Sequence, residues 1–231
     1  MTLITQIKWQ FLIFARNNLL TMIVGITALY VILIYLLKDV GNTERFVTLL
    51  IYNDPALVGF VFLGISVILE KDQGLLPALF VTPIDPLVFI NAKVITLSAI
   101  GCAMALAMVF TAKGIDFNVI HFSVGAFSTC VLFSLMGLFI VSFTTEILHF
   151  LLRGVPLLVG MSLPLLNYFE LTDLFVFKLF PIQGGLSLIV NSYSGSPNNL
   201  ETALGYLSIA VWVPLIYRLT TRIYLKRVAG A

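Results

Sequence analysis

Residues 19–37 read LLTMIVGITALYVILIYLL, a continuous apolar stretch without a single charged side chain. An α-helix rises about 1.5 Å per residue and the hydrocarbon core of a bilayer is about 30 Å thick, so this stretch is long enough to cross it. The chain as a whole has 231 residues, of which 60% are hydrophobic and 10% are charged. Because a soluble domain carries about 25% charged residues, the solvent of this protein is lipid.

The segment before this span, residues 1–17, has a different character. Leu3, Ile7 and Phe14 recur at helical spacing, whereas Lys8 lies on another side of the same helix. Such a pattern is typical of an amphipathic helix that lies in the membrane interface. We therefore predict an interfacial helix over residues 1–17, ending at Asn17-Asn18 before the first span.

The rest of the chain contains further apolar stretches, separated by short polar loops. We predict spans at about residues 47–69, 94–112, 117–143, 147–169 and 203–217, of which the span over 147–169 is broken by Pro156 and Pro164. Residues 171–199 contain two short apolar halves that flank Pro181, and neither half could cross a bilayer alone. A bent backbone at membrane depth is tolerated where protein buries it, which favours an outer re-entrant hairpin. The predicted fold class is an all-α polytopic membrane protein with six transmembrane helices in a single domain over residues 1–231.

The basic residues predict the orientation. Six spans place both termini on one side, and the side with more lysine and arginine faces the cytoplasm. Termini inside give nine basic residues in the cytoplasm, at Lys8, Arg16, Lys71, Lys93, Arg153, Arg218, Arg222, Lys226 and Arg227. The outer set has four, at Lys38, Arg45, Lys113 and Lys178. We expect a multi-pass protein of the cytoplasmic membrane with both termini in the cytoplasm.

The loop between the second and third spans, residues 70–86, reads EKDQGLLPALFVTPIDP. Gly74 can adopt the left-handed conformation that closes a helix, and Asp85-Pro86 is typical of an N-cap and first helical residue. Between them an apolar stripe falls on one helical face, formed by Leu75, Leu76, Leu79 and Phe80. The pattern leaves two interpretations open. The stripe either rests in lipid headgroups or fits a groove in a partner protein.

The sequence contains few residues that could perform chemistry. It has no GxxxxGK[ST] phosphate-binding loop and no His-Glu-x-x-His or Cys-x-x-Cys metal spacing. Cys102 and Cys130 lie within apolar stretches and are expected to be small core residues. His121 and His149 are isolated, as packed or interfacial histidines are. We expect no catalytic residue, metal site or cofactor in this chain, and the net charge of +2 gives no attraction to nucleic acid.

Asp54 lies inside a predicted span, and Lys93 lies about two turns into the helix predicted to start at Pro86. A carboxylate within a span is costly and normally faces a cavity or a partner, so Asp54, with Asn53 beside it, is a candidate for the transport pathway or a proton site. Since Asp54 lies about two turns from the outer end of its predicted span, it could instead anchor the helix in the outer interface. Lys93 could either extend to the inner surface or pair with Glu70.

The stretch Glu70-Lys71-x-x-Gly74, followed by Leu79 and Thr82-Pro83, resembles the loop between spans two and three of ABC-type-2 exporter permeases. Leu75 departs from the threonine or serine that is common after the glycine. The resemblance extends to the layout of a connecting helix over residues 1–17, six spans and a broken segment before the last one. It implies that residues 70–86 form the coupling loop, in which Glu70 and Lys71 hold the loop at the end of span two and the apolar stripe docks on the ATPase. The residues of the implied coupling set are Glu70, Lys71, Gly74, Leu75, Leu76, Leu79, Phe80, Thr82 and Pro83.

The resemblance also implies partners and a function. A separate cytoplasmic ABC ATPase dimer would bind ATP and Mg, and a second permease copy, identical or a close paralogue, would complete the transporter in the lipid membrane. The expected function is the membrane subunit of an exporter for a small molecule, peptide or lipid. Two alternatives remain at this point: a haem-exporter B-type subunit of cytochrome c maturation, and a membrane-embedded enzyme.

Overall fold

The computed structural model describes residues 2–37, 44–74, 85–194 and 198–229, and all regular elements within these ranges are helical. The first half contains α1 (Leu3–Arg16), α2 (Leu19–Leu37), α3 (Glu44–Leu57), a π-helical turn (Val58–Phe62), α4 (Leu63–Asp72) and α5 (Pro86–Lys113). The second half contains α6 (Val119–Val141), α7 (Ile147–Ser162), α8 (Leu165–Tyr168), a 3-10 turn (Phe175–Leu179), α9 (Gln183–Ser192), α10 (Asn199–Tyr224) and a final π-helical turn (Leu225–Ala229).

Five helices in the described ranges are long and apolar enough to cross a membrane. They are Leu19–Leu37, Arg45–Asp72, Pro86–Lys113, Val119–Val141 and Asn199–Arg227. The bounds predicted for the first span are confirmed, whereas the last span is longer than predicted. The predicted break of the 147–169 span at Pro164 is confirmed, because α7 ends at Ser162, whereas the predicted break at Pro156 is wrong, since Pro156 lies inside α7. Pro164 has no N–H to continue the helical hydrogen bonds, so α8 begins as a separate short helix.

Local sequence signals explain several helix ends. The Asp85 side chain accepts a hydrogen bond from the N–H of Leu87 at 2.8 Å, which confirms the predicted N-cap before Pro86. Gly74 has a φ of +66°, as predicted for the residue that closes α4. The break after α1 is also confirmed, since Asn18 adopts a left-handed φ of 57°. The coupling segment over residues 75–84 lies outside the described residues.

The second span packs closely on α6 through small residues. A Cβ on Gly59 would lie 2.5 Å from the carbonyl oxygen of Cys130, and one on Gly137 would lie 2.6 Å from that of Phe60. Both contacts fall at the π-helical turn Val58–Phe62, which follows Pro55 within the same helix. Helix distortions of this kind have a local cause such as a proline. The distorted turn is also where the backbone of the second span lies in close contact with α6.

In the last third of the chain, α7 and α9 pack on different parts of the bundle. The ring of Phe150 on α7 stacks on Phe60 at 5.2 Å between centroids and fills the space above Gly64. Further along, α9 packs against α6 and α10, where Gly184 approaches Gly205 closely. Apart from Phe150 and Gly154, the residues of α7 are at least partly exposed, so this helix lies on the periphery of the bundle.

Candidate functional site

A buried ion pair joins the two helices that flank the predicted coupling loop. The ammonium of Lys93 on α5 contacts the carboxylate of Glu70 on α4, and both side chains are 2% exposed. The same ammonium donates a hydrogen bond to the Ser66 hydroxyl at 3.1 Å and lies 5.1 Å from the centre of the Phe89 ring. Of the two predicted positions for Lys93, pairing with Glu70 is confirmed and extension to the inner surface is wrong.

The next residue fixes α4 to a third helix. The Lys71 ammonium donates hydrogen bonds to the carbonyl oxygens of Val141 at 2.7 Å and Thr144 at 3.0 Å. Val141 is the last residue of α6, where the helix dipole places partial negative charge that favours a cation. Lys71 therefore ties the Asp72 end of the second span to the Val141 end of the fourth.

Two arginine side chains contact the same turn after α6. Arg153 donates to the carbonyl oxygen of Phe143 at 2.6 Å, and the Arg227 guanidinium lies 4.2 Å from the centre of the Phe143 ring. Together with Lys71, these residues bring α4, the end of α6, α7 and the final π-helical turn together at one end of the bundle. All three belong to the basic set predicted to lie inside.

The structure describes only some of the residues that were predicted to couple this chain to an ATPase. Glu70, Lys71 and Gly74 lie at the end of the second span, immediately before the undescribed segment. Leu75, Leu76, Leu79, Phe80, Thr82 and Pro83 lie outside the described residues, and their role stays a prediction. The site predictions did not include Lys93 and Ser66, although a lysine inside a span signals a buried partner because an unpaired charge there is costly.

A second polar site lies deeper in the bundle, between α2 and α3. The Thr27 hydroxyl donates to the carboxylate of Asp54, with its oxygen 3.2 and 3.3 Å from the two carboxylate oxygens. One residue earlier, the Asn53 amide donates to the Tyr30 hydroxyl at 3.3 Å. Asp54 is 0% exposed, so the predicted alternative of an anchor in the outer interface is wrong.

The position of Asp54 explains why that alternative failed. Helix α3 begins at Glu44, so Asp54 lies ten residues, or about 15 Å, from the start of the helix. Its partner Thr27 is near the middle of α2, which runs from Leu19 to Leu37. Among the described residues Asp54 has no basic partner within ion-pair distance. The described residues also contain no group of three or more His, Cys, Asp or Glu side chains that could hold a metal ion.

Comparisons with known proteins agree on one family. The family model of fluoroquinolones export permease proteins matches residues 1–230. A fluoroquinolones export permease protein from Mycobacterium tuberculosis strain CDC 1551 / Oshkosh and one from strain ATCC 25618 / H37Rv are each 27% identical over 161 residues. The match covers 69% of this chain and 63% of each relative, so less than two thirds of their length is spanned. No solved structure matches the chain.

Proposed function

Because the chain belongs to the fluoroquinolones export permease family, we propose that it is the membrane subunit of an ABC exporter for small amphipathic antibiotics of the fluoroquinolone class. A separate cytoplasmic ATPase dimer would bind ATP and Mg and supply the energy. The transport unit would contain two permease copies, and the protein would reside in the cytoplasmic membrane. No catalytic role is assigned to this chain.

The observation that supports this proposal most strongly is the attachment of both ends of the 75–84 segment. Glu70 lies four residues before Gly74, and Lys93 lies eight residues after Asp85. Their ion pair joins the two flanking helices directly, and Lys71 adds the end of α6. Helices α4 and α5, joined in this way, would move together. A push delivered through the loop between them would be transmitted to the second, third and fourth spans, as coupling requires.

We propose six membrane crossings, with α7 and α8 forming the fifth. The chain leaves the turn at Thr144, which Lys71 contacts, and reaches Glu170, which pairs with Arg45 at the opposite end of the second span. It therefore passes from one end of the bundle to the other between these residues. Both termini would then lie in the cytoplasm, together with the coupling loop.

Between Glu170 and α10 we propose the re-entrant hairpin. The carbonyl oxygen of Leu179 accepts a hydrogen bond from the Trp212 indole at 3.1 Å, and Trp212 is thirteen residues along α10. The chain then returns, because the carbonyl oxygen of Ser192 accepts from the N–H of Asn118 at the start of α6. This path enters the bundle to about half the length of α10 and leaves on the same side.

The pathway is proposed to open beside Asn53 and Asp54. Their hydrogen bonds to Thr27 and Tyr30 are polar links between the first and second spans. A movement of the second span, driven from the coupling loop, would part these links and expose a carboxylate. An exposed carboxylate could then accept the basic amine of a zwitterionic drug.

The test of the proposed function uses Leu79→Asp in the chain co-expressed with its ATPase. If the stripe fills an ATPase groove, loss of one buried side chain costs about 2 kcal/mol or more, and a buried unpaired charge costs more still. We expect normal membrane insertion but loss of ATPase co-purification and of ATP-driven fluoroquinolone uptake into inside-out vesicles. Gln73→Asp adds the same charge beside the stripe and serves as the control, since Gln73 is exposed. Full uptake and full ATPase binding by Leu79→Asp would exclude the coupling role.

The proposed orientation has its own measurement. Single cysteines are placed at Gln73 and Asn198 in a background without Cys102 and Cys130, and intact cells are treated with a membrane-impermeant thiol reagent. The cysteine at Asn198 should react, whereas the one at Gln73 should react only after the cells are opened. Labelling of the Gln73 position in intact cells would reverse the topology.

A further inference from the structure

An apolar groove lies on the outer surface of the bundle between α1, α2 and α5. It has a volume of about 800 Å³, which is within the ~300–1,000 Å³ range of small-molecule sites. Ile4 and Phe11 of α1 form one wall, and Val24 of α2 and Ala99 of α5 contribute to the others. All four residues are exposed, so the groove opens sideways towards lipid.

The groove runs from the interfacial helix towards the middle of the membrane. On α5 its lining extends from Thr96 to Met104, which corresponds to about 12 Å along the helix axis. One leaflet contributes about 15 Å to the hydrocarbon core, half of its ~30 Å thickness. The groove therefore matches the depth of a single leaflet. It lies in the leaflet that contains α1, which the basic residues place on the cytoplasmic side.

The chemistry of the lining selects the part of a ligand that fits. Apart from Lys8, Thr96 is the polar residue in the wall, and its hydroxyl already donates to the Ala92 carbonyl at 2.7 Å. A fluoroquinolone in the groove would bury its carboxylate, keto oxygen and amine without adequate partners, which is costly. A hydrocarbon chain needs no partners. The lining therefore favours an acyl chain over the drug.

The charge at the groove favours an anionic head group. Lys8 lines the groove from α1 and is exposed, and α1 contains no Asp or Glu. Basic residues near a membrane surface attract anionic lipids. We propose that this groove is a binding site for one anionic phospholipid of the inner leaflet, with an acyl chain between α1 and α5 and the phosphate next to Lys8. The site is independent of the proposed transport function.

The groove is tested with Ala99→Trp, which fills it from the α5 side. The purified protein is exchanged into detergent containing phosphatidylglycerol, and the lipid that remains bound after washing is measured by native mass spectrometry. We expect Ala99→Trp to lose the tightly held lipid. Ala210→Trp is the matched control, since Ala210 is exposed on α10 and does not line the groove. Ala103→Trp, which fills the same groove at another residue, provides the second variant if Ala99→Trp folds poorly.

The head group is tested with Lys8→Gln. We expect about fivefold weaker phosphatidylglycerol retention, which corresponds to ~1 kcal/mol for one basic residue at an anionic surface. Arg16→Gln on the same helix should retain the lipid, because Arg16 does not line the groove. Phosphatidylcholine should bind more weakly than phosphatidylglycerol.

Three results would overturn this site. Equal lipid retention by the wild type, Ala99→Trp and Ala103→Trp would show that the groove holds no lipid. Equal binding of phosphatidylcholine and phosphatidylglycerol, with no effect of Lys8→Gln, would show that the site does not select an anionic head group. Fluoroquinolone binding that Ala99→Trp abolishes, without any loss of bound phosphatidylglycerol, would assign the groove to the drug.

Discussion

The second span carries two buried carboxylates, one paired with a charged side chain and the other with a neutral one. Glu70, near the Asp72 end of this span, contacts the Lys93 ammonium, which in turn donates to Ser66. Asp54, about one third along the same span, accepts hydrogen bonds from the neutral hydroxyl of Thr27. Both residues are almost fully buried, with exposures of 2% and 0%. Burial is therefore the same at the two sites, and the nature of the partner is what differs.

The difference in partner indicates a difference in role. A carboxylate with a fixed ammonium partner is neutralised in place, and removing either member would leave an uncompensated buried charge. A carboxylate held by a hydroxyl alone can still accept a proton or a cation from outside. The Glu70 end of the span is thus suited to hold helices together, whereas the region of Asp54 is suited to bind a ligand or proton reversibly.

The largest effect is expected when the ion pair between Glu70 and Lys93 is broken. Lys93→Met leaves the Glu70 carboxylate buried without its counter-charge, and breaking a buried pair costs about 3–5 kcal/mol. The variant should unfold at a clearly lower temperature in a detergent-based thermal stability assay. It should also accumulate less in the membrane.

The control for this prediction is the double variant Glu70→Gln with Lys93→Met, which removes both charges. Replacing both members of a buried pair is often close to neutral, so the double variant should recover most of the stability lost by Lys93→Met. A double variant as unstable as the single one would mean that Lys93 contributes by packing alone, for example against Phe89. The contrast between the two carboxylates would then lose its basis.

Parts of this architecture follow directly from the sequence. The bounds of α2, the Asp85 cap and the left-handed Gly74 were predictable because each depends on neighbouring residues. The partners of Asp54 and Lys93 were not fixed in the same way. The spans are apolar on all sides, so no hydrophobic stripe shows which face of one helix meets which face of another. A charge in a span therefore predicts that a partner exists without identifying it.

The π-helical turn was missed for a related reason. Pro55 signals a distortion, but the form that it takes depends on how closely Gly59 and Gly137 let the second span approach α6. The break at Pro164 was predictable, because a proline has no N–H to continue the helix. Pro156 carries the same local signal, yet it lies inside α7 without ending it.

A smaller effect is expected at the close packing that lies between the two carboxylates. Gly59→Ala would place a methyl group 2.5 Å from the Cys130 carbonyl oxygen, a backbone atom that cannot rotate away. Overpacking of this kind typically costs about 1–3 kcal/mol. We expect a lower unfolding temperature than in the wild type, but a smaller decrease than that caused by Lys93→Met.

Gly25→Ala is the matched control for Gly59→Ala, since nothing lies within 4 Å of a Cβ at Gly25. Alanine is also the better helix former by about 1 kcal/mol, so Gly25→Ala should leave the stability unchanged or slightly raised. Equal unfolding temperatures for the two alanine variants would show that the second span and α6 can separate without cost. The close packing on α6 would then provide no rigid connection between Glu70 and Asp54.

The smallest effect on the folded protein, and the most informative one for transport, is expected at Asp54. Asn has nearly the same shape as Asp and keeps an oxygen that can accept the Thr27 hydrogen bond, so Asp54→Asn should fold and bind the ATPase normally. If the carboxylate accepts the basic amine of the substrate, its loss should lower the rate of fluoroquinolone uptake into inside-out vesicles. The expected decrease is about tenfold, the factor that ~1.4 kcal/mol represents.

The choice of substrate makes the Asp54 prediction specific. A quinolone without a basic amine should be transported equally by the wild type and Asp54→Asn, because the charge has nothing to pair with in that molecule. Thr27→Val removes the hydroxyl partner while keeping the carboxylate, so its uptake of the amine-bearing drug should exceed that of Asp54→Asn. Equal transport of the amine-bearing drug by the wild type and Asp54→Asn would show that Asp54 does not bind the substrate. Its carboxylate would then have a structural role, as that of Glu70 does.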